Sequence, residues 1–357
     1  MRLSVKKESV PQAKTIPLCP VFGQCGGCQY QDISYEAELA LKQDHLENFF
    51  RQSSITPSEC FEKIVPSPIE YHYRSRLDMK FLRTRAGKML MGFSPADNKY
   101  LIEVEACPIA MAAISDFLPR LKQEAIAKLT PKHRNANLVV KTGGEGRVAW
   151  GGIGRRSLKM EAADYLWTEI HGKRIFYSLD TFFQANLAIL PLVIQGIKDL
   201  RIMDAHTIFY DLYGGVGLFG VCFADLVKKV ILAEESVHSL KVAEYNVNFH
   251  SLKNFEILAG KVEETLASLL REESGARHVV MVDPPRMGLS PSAAEAISSA
   301  KNITQLLYLS CHPDSLMRDL RIFVKSGWQV TKIMPFDFFP RTQHIETLVL
   351  LKRGHHE

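Results

Sequence analysis

Ser310-Cys311-His312-Pro313 follows the apolar residues Leu306, Leu307, Tyr308 and Leu309, with Ile303 just upstream. A run this short and this apolar reads as a buried strand, and Pro313 ends it. Cys311 then stands just past the carboxyl end of a parallel strand, the edge at which open α/β sheets bind ligands. A thiolate there is a nucleophile; a buried, inert thiol is the alternative. Two carboxylates belong to the same picture. Asp283 ends the preceding strand in Val282-Asp283-Pro284-Pro285-Arg286-Met287-Gly288. The proline-rich turn fixes it to bind a cofactor or a target base, or to cap a helix. Glu346, in His344-Ile345-Glu346-Thr347 before the final strand, reads as a base beside Cys311 or as a surface acid.

Asp211-Leu212-Tyr213-Gly214-Gly215-Val216-Gly217 sits where a strand turns into a helix, and its glycines let a ligand approach the backbone. Glu234 ends the next strand about twenty residues on, where an acid bonds the hydroxyls of a ribose; a helix N-terminal charge is the alternative. The G-G-x-G pattern suits a nucleoside such as S-adenosylmethionine better than a dinucleotide. A second cluster lies near the N-terminus. Cys19, Cys25 and Cys28 are spaced C-x5-C-x2-C among glycines, and Cys107 precedes Pro108. Four thiolates suit tetrahedral zinc or an iron–sulfur cluster, and the spacing leaves both open.

The elements that must position these groups are legible in outline. From Thr207 onward strands and helices alternate in a doubly wound α/β pattern, with strands at 207–210, 230–232, 255–258, 278–282, 305–309, 328–333 and 347–351. Helices are expected from Ser34, its N-cap, to Phe50, from Met111 to Leu129, from Leu218 to Leu226, from Ser236 to His250, and after Thr181–Asn186 through Leu200. Residues 1–17 read as a loose arm, and Pro57, Pro66 and Pro68 as a linker. Strands with a turn near Ala86-Gly87 are expected over 71–104, and a hairpin turned by Gly143-Gly144 and Gly151-Gly152 over 138–158. Three units follow: a thiol-bearing segment with its helix at 1–65, a β-rich unit at 66–180, and a Rossmann-like domain at 181–357.

The 357 residues are 46% hydrophobic and 23% charged, ordinary for a globular chain. No apolar run spans a membrane, the start has no secretory h-region, and a cytoplasmic enzyme is expected. Seven cysteines, an odd number, argue against a disulfide framework. A formal charge of +5 permits a nucleic-acid partner. Tyr71, His72, Tyr73, Arg74, Arg76, Lys80, Arg83, Arg85 and Lys88 mix basic and aromatic groups, which reads as an RNA face or as a solvated strand edge.

Phe182-Phe183-Gln184-x-Asn186, the Asp211–Gly217 turn, Asp283-Pro284-Pro285-Arg286-x-Gly288, Ser310-Cys311-x-Pro313 and His344-x-Glu346-Thr347 together resemble the RNA 5-methyluridine methyltransferases. The four thiols resemble that family's iron–sulfur branch, which chiefly methylates 23S ribosomal RNA, with some members acting on transfer RNA. The resemblance implies that Gln184, Tyr213, Glu234 and Asp283 contact S-adenosylmethionine. It further implies that Cys311 is the nucleophile, that Glu346 is the base, and that Cys19, Cys25, Cys28 and Cys107 hold a 4Fe-4S cluster in a monomer. Two departures stand out. Gly214 occupies a position where the family commonly has cysteine, read here as a tolerated small residue. Only eighteen residues precede Cys19, so no N-terminal oligonucleotide-binding barrel is expected.

Overall fold

The computed structural model describes residues 14–53, 55, 58–95, 100–129, 134–152, 158–269 and 276–354. Most of the expected arm, Pro57 and residues 153–157 of the expected hairpin lie outside these. In chain order, α1 (Tyr35–Arg51) precedes β1 (Arg76–Arg83), β2 (Met89–Phe93), β3 (Ile102–Glu103), α2 (Ala112–Lys128), β4 (Asn135–Thr142) and β5 (Val148–Gly151). The hairpin β6 (Leu166–Ile170) and β7 (Lys173–Tyr177) leads to α3 (Leu190–Asp199), β8 (Thr207–Leu212), α4 (Leu218–Phe223), β9 (Lys229–Glu234) and α5 (Val237–Phe249). Then come β10 (Phe255–Ala259), α6 (Val262–Leu269), β11 (Arg277–Val282), α7 (Pro291–Ser299), β12 (Ile303–Ser310), α8 (Pro313–Lys325), β13 (Trp328–Phe336) and β14 (Glu346–Arg353). Among the described residues, no helix is long and apolar enough to cross a membrane.

Seven strands form one sheet in the order β10-β9-β8-β11-β12-β14-β13. The first five run parallel; β14 runs antiparallel to both its neighbours. Successive side chains of a strand face opposite ways, so the apolar run of β12 serves two cores. Leu307 and Leu309 join Val193, Ile197, Phe219 and Phe223 of α3 and α4 on one face. Leu306 and Tyr308 join Ile297, Leu316 and Phe323 of α7 and α8 on the other, together with Leu46 and Phe50 of α1. Helices on both faces of a largely parallel sheet, with an antiparallel strand inserted near one edge, make an α/β methyltransferase-like fold.

A second, antiparallel sheet has the order β3-β2-β1-β4-β5. Leu77, Met79, Phe81, Leu138 and Val140 line one face of it and pack on Ile114, Leu118 and Leu121 of α2. Gly151 is not the expected turn residue: it pairs with Val139 inside β5. The segment expected as a linker also differs. Glu62 N donates to Ile333 O (2.9 Å), Val65 N to Pro335 O (2.8 Å), and Asp337 N to Val65 O (2.9 Å). Residues 61–65 thus lie along β13 and cover a sheet edge that would otherwise leave backbone groups unpaired.

The loop between β13 and β14 is anchored by α1. Lys42 Nζ donates to Glu38 Oε1 (2.7 Å), Asp337 Oδ1 (2.7 Å) and the Phe339 carbonyl (3.1 Å). Tyr35 Oη donates to Asp337 Oδ2 (2.8 Å). Lys42, Glu38 and Asp337 are buried here, and each finds a hydrogen-bond partner, as burial requires. The helix itself begins where Ser34 Oγ accepts from Ala37 N (3.2 Å).

Candidate active site

The parallel strands end at one level. Leu212 of β8 pairs with Val282 of β11 and Ala233 of β9, and Val282 pairs with Tyr308 of β12. Tyr213, Glu234, Asp283 and Cys311 therefore gather along one edge, each at or just past its strand's end. β14 arrives at that edge from the opposite direction. Ser310 pairs with Thr347, so the next step along each strand sets Cys311 against Glu346.

The turn after β12 is fixed by short bonds. Ser310 Oγ accepts from His312 N (3.2 Å), Ser315 Oγ donates to His312 O (3.0 Å), and Pro313 opens α8. Burial pushes the Cys311 thiol up to about 12, with the charges of Glu346 and Asp283 adding and Arg286 opposing. Glu346 is buried, and burial holds its carboxyl well above the usual range; Asp283 adds and Arg286 opposes. Arg286, Cys311, His312, Gln343, His344 and Ile345 line a cavity of about 440 Å³, within the range of roughly 300–1,000 Å³ usual for small-molecule sites. Burial, then Arg286 and Arg74, lower His344 to about 4.

Beside this cavity, Gln184 Nε2 donates to Asp283 Oδ2 (2.9 Å). Burial lifts Asp283 to about 7 against that bond. Asp211, fully buried, is lifted to about 8 by burial and then by Asp283 and Glu234, although Gly220 N donates to its Oδ2 (2.8 Å). Glu234 accepts from Gly215 N (3.0 Å) and Ser236 N (2.7 Å); each oxygen keeps a lone pair for another donor. The turn bends sharply, with Tyr213, Gly215 and Gly217 at φ of 58°, 57° and 85°. Gly214 is more than a tolerated small residue, because a Cβ there would lie 2.7 Å from Leu232 Cγ.

The loop after β11 is held from α8. Arg318 Nη2 donates to Met287 O (2.8 Å) and Leu289 O (3.0 Å), and buried Asp319 accepts from Leu289 N (2.8 Å) and Tyr308 Oη (2.6 Å).

Cys19, Cys25, Cys28 and Cys107 line one cavity of about 250 Å³ with Arg74, Leu77 and Val104. Burial, and then the charges of Cys107, Cys19 and Cys25, push the Cys28 thiol up to about 12. Among the described residues, no group of three or more His, Cys, Asp or Glu is arranged to hold a metal ion. The basic stretch at 71–88 is divided in its tasks. Tyr73 is buried and donates to Pro340 O (3.0 Å). Arg76 pairs with Asp78 (2.7 Å), and Lys88 pairs with Glu103 (3.5 Å).

Arg286 stood in a recognised motif without a role; its cavity position gives it one as the cation near the Cys311 thiol and Glu346. Gly26 and Gln29 also line that cavity, and nothing in their local sequence announces it.

The fold and this edge define an α/β methyltransferase. The family model described as tRNA (uracil-5-)-methyltransferase matches residues 155–354, more than half of the chain, and the chain belongs to that family. It is an S-adenosylmethionine-dependent RNA (uracil-5-)-methyltransferase. An uncharacterized RNA methyltransferase of Thermotoga maritima is 26% identical, over 99% of this chain and 88% of its own. The tRNA (uracil(54)-C(5))-methyltransferase of Schizosaccharomyces pombe is 25% identical, over 98% of this chain and 68% of its own. The crystal structure of the Pyrococcus abyssi tRNA (uracil-54, C5)-methyltransferase with S-adenosyl-L-homocysteine shares the fold, with a TM-score of 0.68 at 19% identity, over 91% of this chain and 85% of that one.

Proposed function

We propose that the enzyme methylates carbon 5 of one specific uridine through a covalent bond between Cys311 and carbon 6. The observation that carries this is the antiparallel register of β12 and β14, which sets the buried Glu346 opposite Cys311, itself on the wall of a cavity. Carbon 5 of uracil is a weak nucleophile. Addition of the Cys311 thiolate at carbon 6 moves the electron pair of the double bond to carbon 5, which then takes the methyl group. Glu346 removes the carbon 5 proton; the pair left behind restores the double bond and expels the thiolate. Bound S-adenosylmethionine supplies the methyl group on a cationic sulfur. Gln184, Tyr213, Glu234 and Asp283 hold that donor, and Arg286 favours the thiolate. The uridine leaves its stack to enter the cavity.

We read the four thiols as ligands of a 4Fe-4S cluster because they line one cavity, where iron would favour thiolates that burial otherwise disfavours. Cys19, Cys25, Cys28 and Cys107 would hold it as a rigid tie. Through its resemblance to the iron–sulfur branch, this set supports 23S ribosomal RNA as the substrate. A second reading, a transfer RNA uridine, draws support from the family's description and the Schizosaccharomyces pombe relative. Mapping 5-methyluridine in cellular RNA with and without the gene decides between them.

The chemistry is tested by two variants. Cys311→Ala binds RNA and S-adenosylmethionine and forms no covalent complex. Glu346→Gln adds and methylates, and methylated RNA then stays on the protein through a denaturing gel. Near-normal turnover of Glu346→Gln with no trapped band removes Glu346 as the base; a trapped band in Cys311→Ala assigns the nucleophile elsewhere.

A further inference from the structure

Two sets of hydrogen bonds leave the segments that carry the thiols and reach loops of the active site. The first starts beside Cys28. The backbone N–H groups of Gln29 and Tyr30 both donate to Arg341 O, at 2.9 Å and 3.2 Å. The Gln29 side chain then spans the gap between the two loops. Its Nε2 donates to Gly26 O (2.8 Å), and its Oε1 accepts from Gln343 N (3.1 Å). Gly26 and Gln29 face the same cavity as Cys311 and Arg286. The second set starts at Cys107: His72 N donates to Pro108 O (2.9 Å), Arg74 N to Ile109 O (2.8 Å), and Ser75 N to Ala185 O (2.7 Å), next to Gln184.

The wall over residues 341–345 is irregular, and Arg341 sits at a φ of 66°. Its shape therefore depends on side chains and loops that reach it from elsewhere. An amide suits the task because it offers a donor at one end and an acceptor at the other. A carboxylate in its place would set a second acceptor against Gly26 O, and a thioether would fill the space with neither bond.

We infer that Gln29 is a positioning residue for the methylation reaction, carrying the geometry of the loop of Cys19, Cys25 and Cys28 to the Gln343–Ile345 wall that faces Cys311. The target base is seated against a wall whose register the thiol loop sets. This rests on the function proposed above.

The test uses full-length Gln29→Met and Gln29→Glu, purified without oxygen. The substrate is total RNA from cells lacking the gene, with radiolabelled S-adenosylmethionine. For Gln29→Met, iron and sulfide content and calorimetric affinity for S-adenosylhomocysteine stay at the wild-type values. Its single-turnover methylation rate falls by about 10- to 100-fold, the scale of a misplacement near 1 Å. The KM for S-adenosylmethionine does not move. Gln29→Glu, which keeps the acceptor toward Gln343, retains more of the rate than Gln29→Met. A wild-type rate in Gln29→Met overturns the inference. So does loss of iron or of homocysteine affinity, which would make Gln29 a folding residue of its own loop. Wild-type protein that labels no RNA sinks the proposed reaction instead, so the two failures are told apart.

Discussion

Asp283 concentrates the charge problem of the site. Its carboxyl is lifted to about 7, and that of its neighbour Asp211 to about 8, chiefly by burial. Raised values mean that the folded chain holds protons that the unfolded chain has released above pH 4. These two groups therefore stabilise the free protein most at low pH, and the contribution falls as pH rises from about 4 and is gone once it has passed 7 to 8. A cationic sulfur beside Asp283 reverses the preference and favours the carboxylate. S-adenosylmethionine is expected to bind up to roughly tenfold tighter at pH 8 than at pH 6, with release of a proton. S-adenosylhomocysteine, which lacks the charge and shares everything else, should show a weaker dependence. Calorimetry in two buffers of different ionisation enthalpy measures both. Equal pH profiles for the two ligands would place the sulfonium away from Asp283. At this scale the sequence was informative where a side chain's position follows from its strand: Asp283 and Cys311 stand just past the ends of β11 and β12, as their apolar runs imply. Gln29 was invisible because its partner, Gln343, is 314 positions away.

Among the elements, β14 sets Glu346 against Cys311, since only a strand running against the others begins where they end. The late strands were legible from their apolar runs, but their direction was not, because it depends on pairing rather than on composition. The helices α6, α7 and α8 and the β6–β7 hairpin were not anticipated. α7 and α8 open with proline at the first turn, which reads as a break as readily as a start. The linker reading failed for a related reason: prolines at 66 and 68 do not reveal that residues 61–65 will find an edge to cover. α1 was legible, with its cap, but not its role in fastening the loop before β14. That role is measurable. Lys42→Met leaves Glu38 and Asp337 buried without their shared cation and is expected to cost about 3–5 kcal/mol. The check is a lower denaturant midpoint at unchanged slope; a loss below about 1 kcal/mol would mean that solvent reaches the pair.

For the whole molecule, the two sheets and the thiol loop meet around one edge, so a metal group at the thiols would bear on both stability and catalysis. Protein made without oxygen is expected to be brown and to carry iron and sulfide. Cys25→Ala should lose the colour and also melt at lower temperature, since ligation energy is folding energy. Zinc without sulfide would sink the iron–sulfur reading.

The bond from Tyr35 to Asp337 joins positions 302 residues apart, and this orders events in time. At a synthesis rate of about 5–20 residues per second, the first helix leaves the ribosome roughly 15–60 s before the residue that anchors it. During that interval the thiols at 19, 25 and 28 have neither Arg341 nor Gln343 to settle against. Any metal that reached the nascent chain in that interval would meet thiols on a tether. The finished pocket can be assembled only after translation has passed Cys311 and reached Gln343.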